Sequence, residues 1–192
     1  MLTRHDSCVV LRLNISPVDY KDSNTHFYVE WTVAGPDKDC LNMECHGFLK
    51  TSSSITLGDV ISPVSNINGK KQYITLRLFK DKLTGDWHVH YGFNGPPQPV
   101  GYLPKSLLPK PVEISFGGLV SHRKPQRSPP MGSGRLPATT LAASFSDIKV
   151  IDEHGNNTRI DIRWVRQSAS KPSLMVFSHF AKTTIEGIDC EN

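Results

Sequence analysis

Short runs of alternating apolar and polar residues, cut apart by Gly, Pro, Asp and Asn, constrain this chain more than anything else in it. In the run 27–33, Phe27, Val29, Trp31 and Val33 share one parity, and Tyr28, Glu30 and Thr32 share the other. A period of two places each set on its own face of a β-strand. The run 73–79 groups Ile74, Leu76 and Leu78. The run 86–91 groups Trp87, Val89 and Tyr91, with His88 and His90 opposite. Between these two, Lys80-Asp-Lys-Leu-Thr-Gly85 is a short polar connection with glycine, the signature of a β-hairpin.

Further strands are expected at 9–15, 55–57, 112–116, 144–151 and 159–165, with a turn over 152–157 and one more strand at 174–180. Helix is confined to a single turn at 105–108, boxed in by Pro104, Pro109 and Pro111. The stretch 122–137 holds four prolines and two glycines and reads as a surface loop. Many short strands joined by polar turns predict an all-β fold, an antiparallel two-sheet β-sandwich. With 192 residues the chain can bury a core without staples. We divide it into a sandwich domain over 1–167 and a divergent tail over 168–192, where the pattern weakens.

Composition narrows the function classes. No apolar run approaches the roughly 18–20 residues a membrane helix needs, so no membrane role is expected. The net charge of +4 is mild, and much of the excess falls in 122–127. Basic residues interleaved with stacking aromatics are lacking, so nucleic acid is not an expected partner. The polar N-terminus lacks a secretory h-region.

Cys40 and Cys45 bracket a six-residue loop. A zinc site would want a second ligand pair, so a local disulfide is the better reading, with free buried thiols next. Cys8 and Cys190, near opposite ends of the chain, could also pair. His88 and His90 share a strand face but lack a third ligand at metal spacing. Ser133 has no His or acid tied to it by a motif, which argues against a nucleophile. Met131-Gly-Ser-Gly134 lacks the Lys-Ser or Lys-Thr of a phosphate loop, and its glycines suit a tight bend. No cofactor is expected. Asn14-Ile-Ser16 and Asn156-Asn-Thr158 are glycosylation sequons, relevant only on the secretory route.

A series of short motifs adds a resemblance. They run in order from about Asn14 to about Asn157. Tyr20, Asp22 and Trp31-Thr32 lead into Cys40-Leu-Asn-Met-Glu-Cys45 and Gly47-Phe48. Then come Ile61-Ser-Pro-Val-Ser65, Lys80-Asp-Lys-Leu-Thr-Gly-Asp-Trp87, Val100-Gly-Tyr-Leu-Pro104, Phe116-Gly-Gly118 and Met131-Gly-Ser-Gly134. This set resembles the neprosin domain, a plant family of glutamic, proline-directed endopeptidases. The resemblance implies a sandwich whose concave face holds an extended, proline-containing peptide, with Trp87, Tyr102, Met131, Gly132, Ser133 and Gly134 as candidates for lining that cleft. It also implies secretion and a proenzyme, whereas this chain starts without a signal peptide and leaves an intracellular location open.

Family catalysis rests on two glutamates. One carboxylate draws a proton from the attacking water while a carboxylic acid serves the carbonyl or the leaving amine. The second glutamate follows F-G-G, where this chain has Leu119. The first, aligned on Ser16-Pro17, falls on Val10, with Arg12 and Leu13 replacing the family's Gly-Trp. Neither aliphatic side chain can carry a proton. Glu113 shares the parity of Leu119, but six extended residues would separate them by roughly 20 Å. Glu30, on a strand face opposite Trp31, is expected to face solvent. The resulting expectation is a catalytically inactive, peptide-binding relative of the enzyme. The alternatives are an active glutamic endopeptidase using a non-standard carboxylate, and a lectin-like binding sandwich.

Overall fold

The computed structural model describes residues 8–32, 39–66, 68–108, 125, 127, 132, 133, 135, 139, 141–151 and 155–159. They divide between two compact units, one within 1–115 and the other within 116–185.

In the first unit, β1 (Cys8–Asn14), β2 (His26–Thr32) and β3 (Asp39–Leu41) form an antiparallel sheet in the order β1-β2-β3. The strands β4 (Leu49–Lys50), β5 (Ile74–Lys80), β6 (Trp87–Phe93) and β7 (Gln98–Leu103) form a second, in the order β4-β7-β6-β5. All its pairings are antiparallel. Val9, Leu11, Phe27, Val29 and Trp31 from the first sheet share one buried cluster with Val89, Tyr91, Val100 and Leu103 from the second. The rings of Phe27 and Tyr91 meet between the sheets, centroids 4.5 Å apart. Two antiparallel sheets facing across one apolar layer make the expected β-sandwich.

Local chemistry explains the elements. The alternating run that starts at Phe27 becomes β2, whose odd residues Phe27, Val29 and Trp31 are at most 1% exposed. The hairpin joining β5 to β6 is closed by Asp81, whose Oδ1 accepts the amides of Leu83 and Thr84, each at 2.8 Å. Gly85, at φ 80°, supplies the left-handed residue that ends the turn. Pro99 sits within β7 beside a register shift between Val89 and His90 on β6. A bulge is one of the few places a sheet tolerates proline, and this one concealed β7 from pattern reading.

A four-residue helix, α1 (Pro17–Tyr20), precedes β2. Ser16 caps it by accepting the Asp19 amide, Pro17 opens it, and Lys21 closes it at φ 62°. The helical turn expected at 105–108 is instead a plain turn at 105–107, with Leu107 N–H bonded to the Pro104 carbonyl at 3.0 Å, so the short helix falls at 17–20 and not there.

Two expectations on strands are corrected. Residues 55–57 form no strand, because side chains already occupy their amides: Ser52 Oγ accepts from Ile55 and Asp59 Oδ2 from Thr56. Ile55 and Leu57 still pack on the core, which is why their alternation resembled a strand. The expected strand 144–151 is only β8 (Lys149–Ile151), since Asp147 at φ 60° breaks extended backbone before it.

In the second unit, β8 pairs antiparallel with β9 (Asn157–Arg159), and Asp147 bonds both Lys149 Nζ and Arg159 Nη2. The expected strands 112–116 and 174–180, most of 159–165, most of the basic stretch 122–127 and the tail 168–192 lie outside the described residues.

Candidate functional site

Val10 lies in β1, and its register partner on β2 is Glu30. Glu30 in turn pairs with Leu41 of β3, so this carboxylate occupies the middle of the three-stranded sheet. Tyr28, two residues earlier on the same face, donates its hydroxyl to Glu30 Oε2 at 2.7 Å. Tyr28 is 8% exposed and Glu30 is half-buried, so this carboxylate is partly withdrawn from the solvent it was expected to face. Cross-strand pairing made the difference, and register cannot be read from one strand. Leu119 and Glu113 lie outside the described residues.

The other candidates fall on different surfaces. Trp87 packs against the core, and its indole N–H donates to the Leu108 carbonyl at 3.0 Å. Tyr102 is on the opposite face of its sheet, stacked on His88 with centroids 5.4 Å apart. The two candidates therefore do not line one surface. Sheet register builds a row there: Phe79, His88 and Tyr102 pair in turn, with Leu49 beyond. His90 meets Phe79 edge-on at 5.1 Å, and Arg77 lies over the Phe79 ring at 4.3 Å. Burial, with Arg77 and His88 alongside, lowers the pKa of His90, so it is neutral at pH 7. Among the described residues no group of three His, Cys, Asp or Glu side chains could hold a metal ion.

Gly132 and Ser133 belong to the second unit. Gly132 has φ 57°, and Ser133 Oγ accepts the Arg135 amide at 3.3 Å. That is turn chemistry, as the glycine spacing implied. Met131 and Gly134 lie outside the described residues.

Cys40 and Cys45 form a disulfide, Cα atoms 5.6 Å apart. The loop it closes carries Asn42, 7% exposed at φ 49°. Its side-chain oxygen accepts the Val29 amide at 3.0 Å, its own amide donates to the Val29 carbonyl at 2.7 Å, and Nδ2 donates to Tyr20 Oη at 2.9 Å. Asn42 therefore acts as a substitute strand partner for β2, which the bare Cys-x-Asn-x-x-Cys spacing did not disclose. Sequence reasoning also passed over His26, 5% exposed and bonded at both ring nitrogens. The available signal was the Asp22-x-x-x-His26 spacing beside a helix end.

No helix among the described residues is long and apolar enough to cross a membrane. Compared with curated proteins, the sequence matches none. The family model described as Neprosin matches residues 4–184, nearly the full length and beyond both ends of the motif series. With that match over a two-sheet antiparallel sandwich and a closed Cys40–Cys45 loop, the chain belongs to the neprosin family.

Proposed function

We propose that this chain is a peptide-binding member of its family that has lost the ability to activate water for hydrolysis. What supports this reading is that Val10 and Leu119, both aliphatic, stand at the two positions that the motif resemblance assigns to the family's glutamates. A glutamic dyad needs one carboxyl held protonated, which requires a raised pKa. Where carboxyl pKa values are displaced among the described residues, at Asp22, Asp81 and Asp147, hydrogen bonds pull them down. Those groups are poised as anions, the wrong state for a general acid.

The partner in this reading is an extended, proline-containing peptide. The setting is the secretory route, supported by a disulfide that persists in oxidising compartments. The test is to incubate the full chain with proline-rich peptides from about pH 3 to pH 8, following cleavage by mass spectrometry and binding by calorimetry. Binding without cleavage, with hydrolysis gained in Val10→Glu/Leu119→Glu, supports the proposal. Hydrolysis by the natural chain refutes it.

A second reading has one specific observation in its favour. Glu30 is the cross-strand partner of Val10, so a carboxylate remains one strand away from the vacated position. If the natural chain cleaves peptide and Glu30→Gln abolishes that cleavage, this displaced acid has taken over.

A further inference from the structure

The chain buries a histidine where neutral imidazole cannot satisfy its neighbours. His26 is 5% exposed, with the Gly58 carbonyl 2.7 Å from Nδ1 and Asp22 Oδ1 3.0 Å from Nε2. Both facing atoms are acceptors. Neutral imidazole has one N–H and can serve one of them; only the imidazolium donates to both. The Tyr20 ring lies flat on the imidazole, centroids 3.7 Å apart and planes 3° from parallel, and a π-face favours a cation.

The other groups around this ring fit a positive charge. Asp22 and Tyr20 approach from α1 and the turn after it, and Asp19 and Glu44 act on Tyr20 from α1 and the disulfide loop. Asp59 follows Gly58 on the crossing segment, with its carboxylate on the Thr56 amide. The register partner on β1, Asn14, is neutral, and the Lys21 ammonium is tied to the Val18 carbonyl.

The contacts this ring joins are structural. Residues 58–61 run beside the start of β2, with Gly58 N–H on the Phe27 carbonyl, Phe27 N–H on Asp59 and Ile61 N–H on Thr25. We propose that Asp22, His26 and the Gly58 carbonyl form a pH-sensitive clamp. It fastens α1 and residues 58–61 to the head of β2 in mildly acidic solution and loosens as the imidazole gives up its proton. The proposal is independent of whether the chain cleaves peptide.

Burial by itself lowers the imidazole pKa, but the bonds to Asp22 and Gly58 outweigh it and the net shift is upward. Asp22 is held below its ordinary value, first by His26 and then by the Asn24 amide. A raised histidine pKa contributes stability that is complete below the ordinary value of 6.5 and is lost as pH climbs through the raised one. A lowered carboxyl pKa contributes stability that is complete above the ordinary 3.8 and is lost as pH falls through the depressed one. The clamp is therefore fully engaged between roughly pH 4 and pH 6.5.

Histidine ring nitrogen NMR on the full chain from about pH 4.5 to pH 9 tests this directly. The expected result is a His26 ring protonated on both nitrogens that titrates above 6.5, while His90 titrates below it in the same sample. In parallel, the thermal midpoint should fall between about pH 5.5 and pH 8.5, and His26→Gln should at least halve that fall. If His26→Gln does not fold, Asp22→Asn keeps the ring in place and should move the His26 midpoint down. A His26 ring that titrates at or below 6.5 overturns the proposal, as does an undiminished pH dependence in His26→Gln or an unmoved midpoint in Asp22→Asn.

Discussion

Placing a carboxylate at position 10 would put two acids in directly paired positions of adjacent antiparallel strands, because Val10 and Glu30 are register partners. Side chains at such positions share a face, with Cβ atoms about 4.5–5.5 Å apart. For two anions about 5 Å apart, Coulomb repulsion is roughly 0.8 kcal/mol at the dielectric of water and about 3 kcal/mol at an effective value near 20. Tyr28, 8% exposed, donates its hydroxyl to the half-buried Glu30, so a value between those limits applies to the pair. Val10→Glu should therefore behave as a coupled pair whose second proton leaves about 1–2 pH units above an ordinary glutamate, near pH 5.5–6. A carboxyl pKa raised on folding destabilises the folded state at high pH, so the variant should lose roughly 1–3 kcal/mol between about pH 4 and pH 7 relative to the parent. Carboxyl carbon NMR gives the titration and urea unfolding at several pH values gives the stability. Two independent titrations near the ordinary value, with a parent-like stability profile, would refute the register argument and the claim that Glu30 stands beside position 10.

Three further outcomes follow from the packing. Gly101→Ala would aim a methyl at the Leu49 carbonyl and to within 2.5 Å of the Phe48 ring, so urea unfolding should show a loss of at least about 2 kcal/mol. Asn42→Ala removes the acceptor of the buried Val29 amide and should cost about 1–3 kcal/mol, whereas Asn42→Asp, which keeps that acceptor, should retain part of it. Reducing Cys40–Cys45, or replacing both by Ser, should cost about 2 kcal/mol by loop-closure entropy for six residues, read as a lower denaturation midpoint.

Much of the architecture was legible because a period of two is imposed residue by residue. Alternation in 27–33, 73–79 and 86–91 named the strands and their core faces to within one or two residues, as expected for element ends. Where other forces took over, the pattern misled or fell silent. Pro99 concealed β7, and local side-chain bonds turned the alternating 55–57 into a loop. The site was less legible than the fold. Trp87 and Tyr102 are both aromatic in neighbouring motifs, yet one strand's parity sends Trp87 to the core and another's sends Tyr102 to the opposite face.

From its residues alone, the chain's class was legible: antiparallel β, cysteines at 40 and 45 best read as a local disulfide, and a family motif series. Each of these depends on residue type or near-neighbour spacing, which a linear chain states outright. Only the tertiary structure decided that Glu30 stands across from Val10, that Asn42 completes the bonding of β2, and that His26 is held between Asp22 and Gly58. Those pairings join residues 4 to 32 positions apart, and strand register and loop crossings, rather than local preference, bring their atoms within bonding distance.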